Sequence, residues 1–468
     1  MKRLLLLLVL SFTVVLSRSY AQGYKIEVQL DGIKDTTILL GYHLGEKKFV
    51  QDTTTVDSKG YAVFKGDSTL KQGIYLIILP SKTYFEILVT ENQKFSLKTD
   101  VNNMLSKLSF TNSKENDVFS NYQKFMVEQQ KVMNEYQAKY KKVSSKPDSS
   151  KIMQGKIQAL DKKVNDYWDG IIRDYPNSIN AAIVRSMKKV EIPDFKIPTG
   201  TKNVDSLKWI MSYTYNKDHF FDNISLTDPR LIRTPILEDR LNTFFDRVLI
   251  PAPDTLTKEA IKVIEATKGN KEIFEYVLTT LTNKFATSEI MGLDGVFVAL
   301  AEKYYLSGQA WWASKKMLDK LKERVDDLKP NLIGNQCPNL ELPDMAGVVR
   351  NLSDIKTKIT IVYFWDSSCA HCKKVTPAVK KLYDKYKAKG LEVYAVYTQG
   401  NQPEVVEYIA KNNLNWINVW DPAQKSNFRK LFDIYSTPVI YVLDANKKII
   451  AKRISEESLG KILEQELK

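Results

Sequence analysis

The chain has 468 residues, 43% of them hydrophobic and 26% charged, so it is globular and long enough for two to four domains. The net charge of +14 is spread among acidic residues, and no block of lysine and arginine stands out. A nucleic-acid-binding protein needs a concentrated basic face. We therefore expect no nucleic acid among the partners.

Residues 1–21 predict a secretory signal peptide. Lys2 and Arg3 form a positive start, an apolar stretch covers residues 4–16, and residues 19–21 (Ser-Tyr-Ala) are typical of a cleavage site. The apolar stretch is shorter than the roughly 20 residues that a transmembrane helix needs. No cysteine lies near the cleavage site, which excludes a lipoprotein anchor. We predict cleavage before Gln22, with an uncleaved membrane anchor as the alternative.

Residues 22–100 are predicted to form a small β-sandwich. Six segments alternate apolar and polar residues and are separated by turn sequences; they are YKIEVQL, TTILLGY, YAVFKG, GIYLIIL, YFEILV and KFSLKT. Short strands at this spacing are typical of a sandwich. His43 has no neighbouring metal ligand in the sequence and is predicted to lie in a solvated loop.

Residues 101–330 are predicted to be an all-α region. Apolar residues recur at helical spacing from about residue 113, and the stretch from Leu293 to Leu328 is predicted as helical. Prolines punctuate the region, and no repeat period is evident. Its aromatic residues, such as Trp168 and Trp209, favour a helix-packing core over a binding groove. No catalytic constellation is recognisable.

Residues 331–468 alternate strands and helices. A fully apolar strand, ITIVYFW, precedes a helix that ends at Gly390, and LEVYAVYT, WINVWD and PVIYVLD follow as strands among further helices. This order predicts an α/β domain with a mixed sheet. The fold class is thus multidomain, with β, α and α/β parts in that order.

The pair Cys369 and Cys372 forms a C-x-x-C motif just after the apolar strand, at the first turn of the predicted helix. A helix N-terminus offers unpaired N–H groups that stabilise a thiolate, which is the attacking species in disulfide exchange. The spacing keeps both sulfurs on one turn. We expect Cys369 to be the nucleophile and Cys372 to resolve the mixed disulfide.

Other chemistries of a C-x-x-C motif fit less well. Haem attachment favours C-x-x-C-H, but Lys373 follows the motif. A structural zinc site needs four ligands, and only Cys337 and His371 are further candidates. Asp366 stands where a peroxidatic cysteine would require threonine. We expect no cofactor and no metal, while a purely structural disulfide stays an alternative.

The region 331–468 resembles the thioredoxin superfamily, in FW ahead of C-x-x-C, in Pro377 and in STPVIYVLD. The resemblance implies that Thr437-Pro438 is the cis-proline site that holds the substrate backbone and that Pro377 kinks the active-site helix. It implies that Trp365 is the aromatic residue of the active-site loop. The lead-in IGNQCPNLELPDMAGVVRNLSDIKTKITIVYFW is similar to the extracytoplasmic TlpA/ResA-like branch.

Some residues depart from the family pattern. Tyr363 stands where thioredoxin has a buried acid, and Val375 where many TlpA-like proteins have glutamate. His371 resembles the strongly oxidising periplasmic thiol oxidase, in which the histidine stabilises the thiolate, and Thr437 resembles disulfide isomerases. Both features argue against a simple reductase. We expect Cys337 to be a buried free thiol, with a third redox cysteine as the alternative.

The first two regions resemble extensions that envelope proteins of the Bacteroidota carry ahead of a TlpA-like domain. This resemblance implies a periplasmic protein of a Gram-negative cell and no known activity for the extensions. From the cysteine pair and the thioredoxin-like region, we expect disulfide exchange with protein substrates and a membrane electron donor or acceptor. The extensions are expected to select substrates or to form a homodimer. The alternative function is an envelope scaffold, whose thioredoxin-like domain docks partners without turnover.

Overall fold

The computed structural model of the chain describes residues 23–399 and 402–468, so the predicted signal peptide lies outside the described residues. The chain divides into two compact units; the first ends at Thr243 and the second begins at Phe244. Within the described ranges, no helix is both long and apolar enough to cross a membrane.

The first unit begins with two four-stranded sheets that pack face to face. The strands are β1 (Tyr24–Asp31), β2 (Thr36–Leu44), β3 (Lys47–Val56), β4 (Tyr61–Gly66), β5 (Gly73–Ile78), β6 (Tyr84–Val89), β7 (Lys94–Asp100) and β8 (Ser109–Thr111). The sheet orders are β4-β1-β7-β8 and β3-β2-β5-β6. Alternate residues such as Ile26 and Val28 of β1 meet Ile38 and Leu40 of β2 in one core. The predicted sandwich is confirmed.

The prediction of a solvated loop at His43 is wrong. His43 lies within β2 and is only 4% exposed. Ile38, Leu40 and Tyr42 face the sandwich core, so His43 lies on the opposite face of the sheet, the face that the helices cover. Its Nε2 atom lies 3.3 Å from Oε1 of Glu86 in the same unit.

Helices follow the sandwich, as predicted. They are α1 (Met104–Lys107), α2 (Lys114–Val143), α3 (Pro147–Asp174), α4 (Ile179–Met187), α5 (Val204–His219) and α6 (Ile236–Thr243). Trp168 of α3 is buried, as the sequence indicates, in a core that α2, α3 and α4 share with Ile74 and Leu88 of the sheet. Sequence analysis misses α5, which contains no buried residue, and the expectation that Trp209 lies in a helix-packing core is wrong, because its side chain is 59% exposed.

One amide joins the helices of the first unit to the edge of its sheet. Strand β6 is an edge strand, so its outward backbone groups need partners. The buried side chain of Asn116 in α2 supplies both a hydrogen-bond acceptor and a hydrogen-bond donor to these backbone groups. Its Oδ1 accepts from the Leu88 N–H at 2.7 Å, and its Nδ2 donates to the Leu88 carbonyl at 2.8 Å.

The substitution Asn116→Asp keeps the size of the side chain but removes the donor to the Leu88 carbonyl. We expect it to lower the free energy of unfolding of the first unit by about 1–3 kcal/mol, since a buried carbonyl is left unpaired. Urea unfolding measures this loss. Asn134→Asp is the matched control, because Asn134 lies exposed on α2 and accepts only from Gln130; we expect a change within about 0.5 kcal/mol. Equal effects of the two variants would contradict this role of Asn116.

The second unit begins with the remaining helices. They are α7 (Pro253–Ala266), α8 (Lys271–Ala286), α9 (Asp294–Leu300) and α10 (Lys315–Leu328). The prediction of one helical stretch from Leu293 to Leu328 is wrong. A turn of π-helix follows α9, Gly308 adopts a positive φ of 83°, and Ser314 caps α10 by accepting from the Met317 N–H.

A five-stranded mixed sheet and a two-stranded hairpin, with their helices, complete this unit. The strands are β9 (Glu341–Pro343), β10 (Val349–Asn351), β11 (Ile359–Trp365), β12 (Leu391–Tyr397), β13 (Ile417–Trp420), β14 (Val439–Leu443) and β15 (Ile449–Lys452). The helices are α11 (Ala370–Tyr386), α12 (Gln402–Lys411), α13 (Phe428–Leu431) and α14 (Glu456–Glu466). The sheet order is β13-β12-β11-β14-β15, and β9 and β10 form a separate hairpin. The predicted α/β part is confirmed.

Strand β11 is the centre of this sheet. It pairs in parallel with β12 and antiparallel with β14, and each of its seven residues is buried. Tyr363 and Trp365 face one core, whereas Val362 and Phe364 face the other. A strand that is covered on both faces reads as a continuous apolar run, which explains why ITIVYFW shows no alternation.

Candidate active site

The pair of cysteines lies where β11 passes into α11. Cys369 is the residue that caps α11, and its Sγ accepts a hydrogen bond from the Cys372 N–H at 3.4 Å. Cys369 is partly exposed, whereas Cys372, one turn further on, is 1% exposed. The helix therefore presents one sulfur to the surface and holds the other beneath it.

A buried carboxylate holds the loop that carries Cys369. Asp366 is 1% exposed and accepts from the Ser368 N–H at 2.8 Å and from the Ser368 hydroxyl at 2.9 Å. The amide of Gln399 also donates to it. Sequence analysis considers Asp366 only as an argument against a peroxidase and misses this role. The sequence did contain a signal for this role, because Asp-Ser-Ser is typical of a turn in which the aspartate side chain accepts from the backbone N–H two residues on.

The two thiols have opposite pKa shifts. Burial tends to raise the pKa of Cys369, but hydrogen bonds from the N–H groups of Cys372 and His371 outweigh it, and the pKa lies below its ordinary value. Burial dominates at the second thiol and raises the pKa of Cys372 to about 12. At neutral pH, Cys369 is thus the thiol that ionises more readily.

The segment before β14 faces the exposed sulfur. The Sγ of Cys369 donates to the Thr437 carbonyl at 3.4 Å, across 68 residues of sequence. The Thr437-Pro438 peptide bond is cis, in agreement with the expectation from the resemblance. The structure thus brings together Cys369, Cys372, Thr437 and Pro438.

His371 and Trp365 take different positions around the pair. The His371 side chain is exposed, and the group of this residue that lowers the pKa of Cys369 is its backbone N–H. Trp365 is fully buried at the end of β11, not in the loop, and its ring contacts Tyr397 and Tyr408 with centroids 5.3 and 5.4 Å apart. The expectation that the indole lies in the loop is wrong, because the strand continues through it.

Hydroxyl groups lie near the buried thiol. Tyr363 and Thr376 share a hydrogen bond of 2.9 Å. Burial raises the pKa of Tyr363, and the charge that Cys372 would carry raises it further. Val375 is buried beside them. The hydroxyls of Tyr363 and Thr376 can donate hydrogen bonds to a sulfur, and they stay protonated at neutral pH.

The third cysteine is remote from this chemistry. Cys337 is 7% exposed, as predicted for a buried thiol, and burial raises its pKa to about 12. Its Sγ donates to the Pro338 carbonyl at 3.4 Å. Among residues 23–399 and 402–468, no three His, Cys, Asp or Glu side chains are grouped to hold a metal ion.

Two family models match the chain. Residues 333–452 match the AhpC/TSA family. This match assigns a thioredoxin-like domain of the AhpC/TSA family to that part of the chain. Residues 24–119 match a domain of unknown function, DUF4369, which covers the sandwich and the start of α2.

Proteins of known sequence or structure are similar to the same part of the chain. Thiol-disulfide oxidoreductase ResA of Bacillus cereus is 29% identical over 129 residues, which are 27% of this chain and 72% of ResA. A thioredoxin-like protein of Haemophilus influenzae is 28% identical over 26% of this chain and 71% of its own length. A solved domain of a possible thiol-disulfide isomerase from Cytophaga hutchinsonii is 43% identical and covers 29% of this chain and 92% of that domain, with a TM-score of 0.28.

The lowered pKa of Cys369 predicts selective alkylation. The thiolate fraction rises with pH through the pKa, so Cys369 should react with iodoacetamide with a midpoint below the roughly 8.5 of a free cysteine. Cys372 should stay unmodified until far more alkaline pH. Peptide mass spectrometry across a pH series of the reduced protein measures both, and buried Cys337 serves as an unreactive internal control. A Cys369 midpoint at or above that of free cysteine would contradict the assignment.

Proposed function

We propose that this protein is a thiol–disulfide oxidoreductase that exchanges disulfides with protein substrates through Cys369 and Cys372. The observation that carries the proposal is the position of Cys369, which caps α11 with its sulfur on the Cys372 N–H. That position favours the thiolate, and the thiolate is the form that attacks a disulfide. The family match of residues 333–452 supports this proposal, and so does the similarity to relatives named thiol-disulfide oxidoreductase.

The exchange proceeds in two balanced steps. The Cys369 thiolate attacks one sulfur of the substrate disulfide; a mixed disulfide forms, and the other substrate sulfur leaves as a thiolate and takes up a proton. Cys372 then loses its proton and attacks the Cys369 sulfur, which closes the internal disulfide and releases the second substrate thiol. Two electrons have passed to the substrate. The reverse sequence oxidises a substrate dithiol.

The remaining groups position these reactants. Thr437 and Pro438 lie against the Cys369 sulfur, so we assign them the role of holding the substrate backbone. Asp366 fixes the loop, and Trp365 fills the core beneath it. The hydroxyls of Tyr363 and Thr376 bond to each other near the resolving thiol, and we assign them a role in orienting Cys372.

We place this activity in the periplasm. The motif of residues 1–21 and the resemblance to TlpA/ResA-like proteins support export by a cleaved signal peptide. A pair that turns over there needs a dithiol or disulfide partner to restore it, and we assign that role to a membrane electron donor or acceptor.

Single cysteine variants test the proposed roles. Cys369→Ser should abolish turnover of a disulfide-linked test peptide, because no accessible thiolate remains. Cys372→Ser should instead accumulate a mixed disulfide at Cys369, visible as a band on a non-reducing gel that disappears with reductant. Cys337→Ser is the matched control and should keep full turnover. Turnover by Cys369→Ser would overturn the proposal.

The direction of exchange follows from the reduction potential of the pair. Stabilisation of the Cys369 thiolate stabilises the reduced form and makes the pair more oxidising. His371 and Thr437 resemble residues of oxidising and isomerising relatives. We therefore expect a potential less negative than the roughly −270 mV of thioredoxin, toward the roughly −120 mV of a strong periplasmic oxidant.

Equilibration against glutathione measures this potential, and His371→Ala separates the two contributions of that residue. If the imidazole stabilises the thiolate, the variant becomes more reducing; if only the backbone N–H contributes, its potential is unchanged. A wild-type value at or below that of thioredoxin would show a reductase and contradict the expected direction.

A further inference from the structure

A cleft of about 640 Å³ opens beside the redox pair, within the second unit. One wall is formed by the active-site side of the sheet, including His371, Thr437 and Pro438. The opposite wall is the loop between α8 and α9, residues 287–293, together with Phe297 of α9. This second wall precedes the family-matched residues 333–452, so it is an addition of this chain's helical region.

The charged groups in the cleft are largely neutralised by one another. The buried Asp433 carboxylate binds Arg453 at 2.6 Å and also binds Arg324 of α10. Lys452 of β15 forms an ion pair with Asp294 of α9. Because these pairs are satisfied within the protein, a bound partner gains little by bringing a charge to them.

Two apolar side chains of the loop between α8 and α9 face the cleft and are exposed to solvent. Ile290 is 57% exposed and Met291 38% exposed, and both line the cleft. Val375 also lines the cleft, so this part of the lining is apolar as well. Exposed apolar side chains beside a reactive group mark a binding surface.

A substrate that reaches Cys369 lies next to this cleft. The Cys369 sulfur lies against the Thr437 carbonyl, and Thr437 lines the cleft. A polypeptide whose disulfide is attacked by Cys369 therefore has its neighbouring residues at the start of the cleft. A volume of about 640 Å³ is in the range of small-ligand sites, roughly 300–1,000 Å³, which suits a few residues of an extended chain and excludes a folded domain.

We propose that the loop of residues 287–293 is a specificity wall, at which Ile290 and Met291 accept an apolar side chain next to the reactive cysteine of an extended substrate segment. This inference rests on the proposed function and names its substrate class. Two carboxylates at the same cleft, Glu289 and Glu456, add repulsion against an acidic neighbour.

The test compares two disulfide-linked peptides that differ only by leucine or serine beside the cysteine. The full-length wild type should turn over the leucine peptide with a kcat/KM roughly tenfold higher. Ile290→Asn and the double variant with Met291→Asn should bring this ratio toward 1, chiefly by raising KM for the leucine peptide. Turnover of a small aromatic disulfide and the reduction potential of the pair should not change.

Val348→Asn is the matched control, because Val348 is similarly exposed, at 51%, but does not line the cleft. It should keep the wild-type ratio. An equal preference for both peptides in the wild type, or an unchanged ratio in the Ile290 variants, would overturn the specificity wall while leaving the redox activity intact. Absence of turnover of either peptide and of the small disulfide by the wild type would instead overturn the proposed function.

Discussion

The backbone N–H of Cys372 lies 3.4 Å from the Cys369 sulfur, and this contact exists because β11 ends where α11 begins. The helix supplies free N–H groups at its first turn, and the fully buried strand fixes where that turn lies. The loop between them has four residues, 366–369, and is held by Asp366. The chemistry of the site therefore depends on the rigidity of the sheet that carries it.

The same geometry separates the two thiols. One turn of helix takes the chain from the surface into the core, so hydrogen bonds govern Cys369 and desolvation governs Cys372. The surroundings of the buried thiol include the hydroxyls of Tyr363 and Thr376 and the apolar side chain of Val375.

Sequence patterns predicted the features that depend on local chemistry. Alternation revealed the sandwich, the apolar run revealed β11, and the spacing of the motif placed Cys369 at a helix start. The patterns failed where burial is decided by distant residues. Helix α5 contains no buried residue, and His43 is buried on the face of its sheet that later helices cover. The cleft is the strongest case, because its walls lie about 150 residues apart in the chain and no local pattern joins Ile290 to Thr437.

The ion pair of Lys452 with Asp294 has a consequence for how this protein can change during evolution. The Lys452 side chain is 4% exposed, and burial lowers its pKa, so its charge depends on the carboxylate that α9 provides. A descendant that lost the helical region would keep the buried ammonium group of Lys452 in β15 without its carboxylate partner. The redox domain and the helices before it are therefore expected to be inherited together, and a lineage that sheds those helices should also replace this lysine.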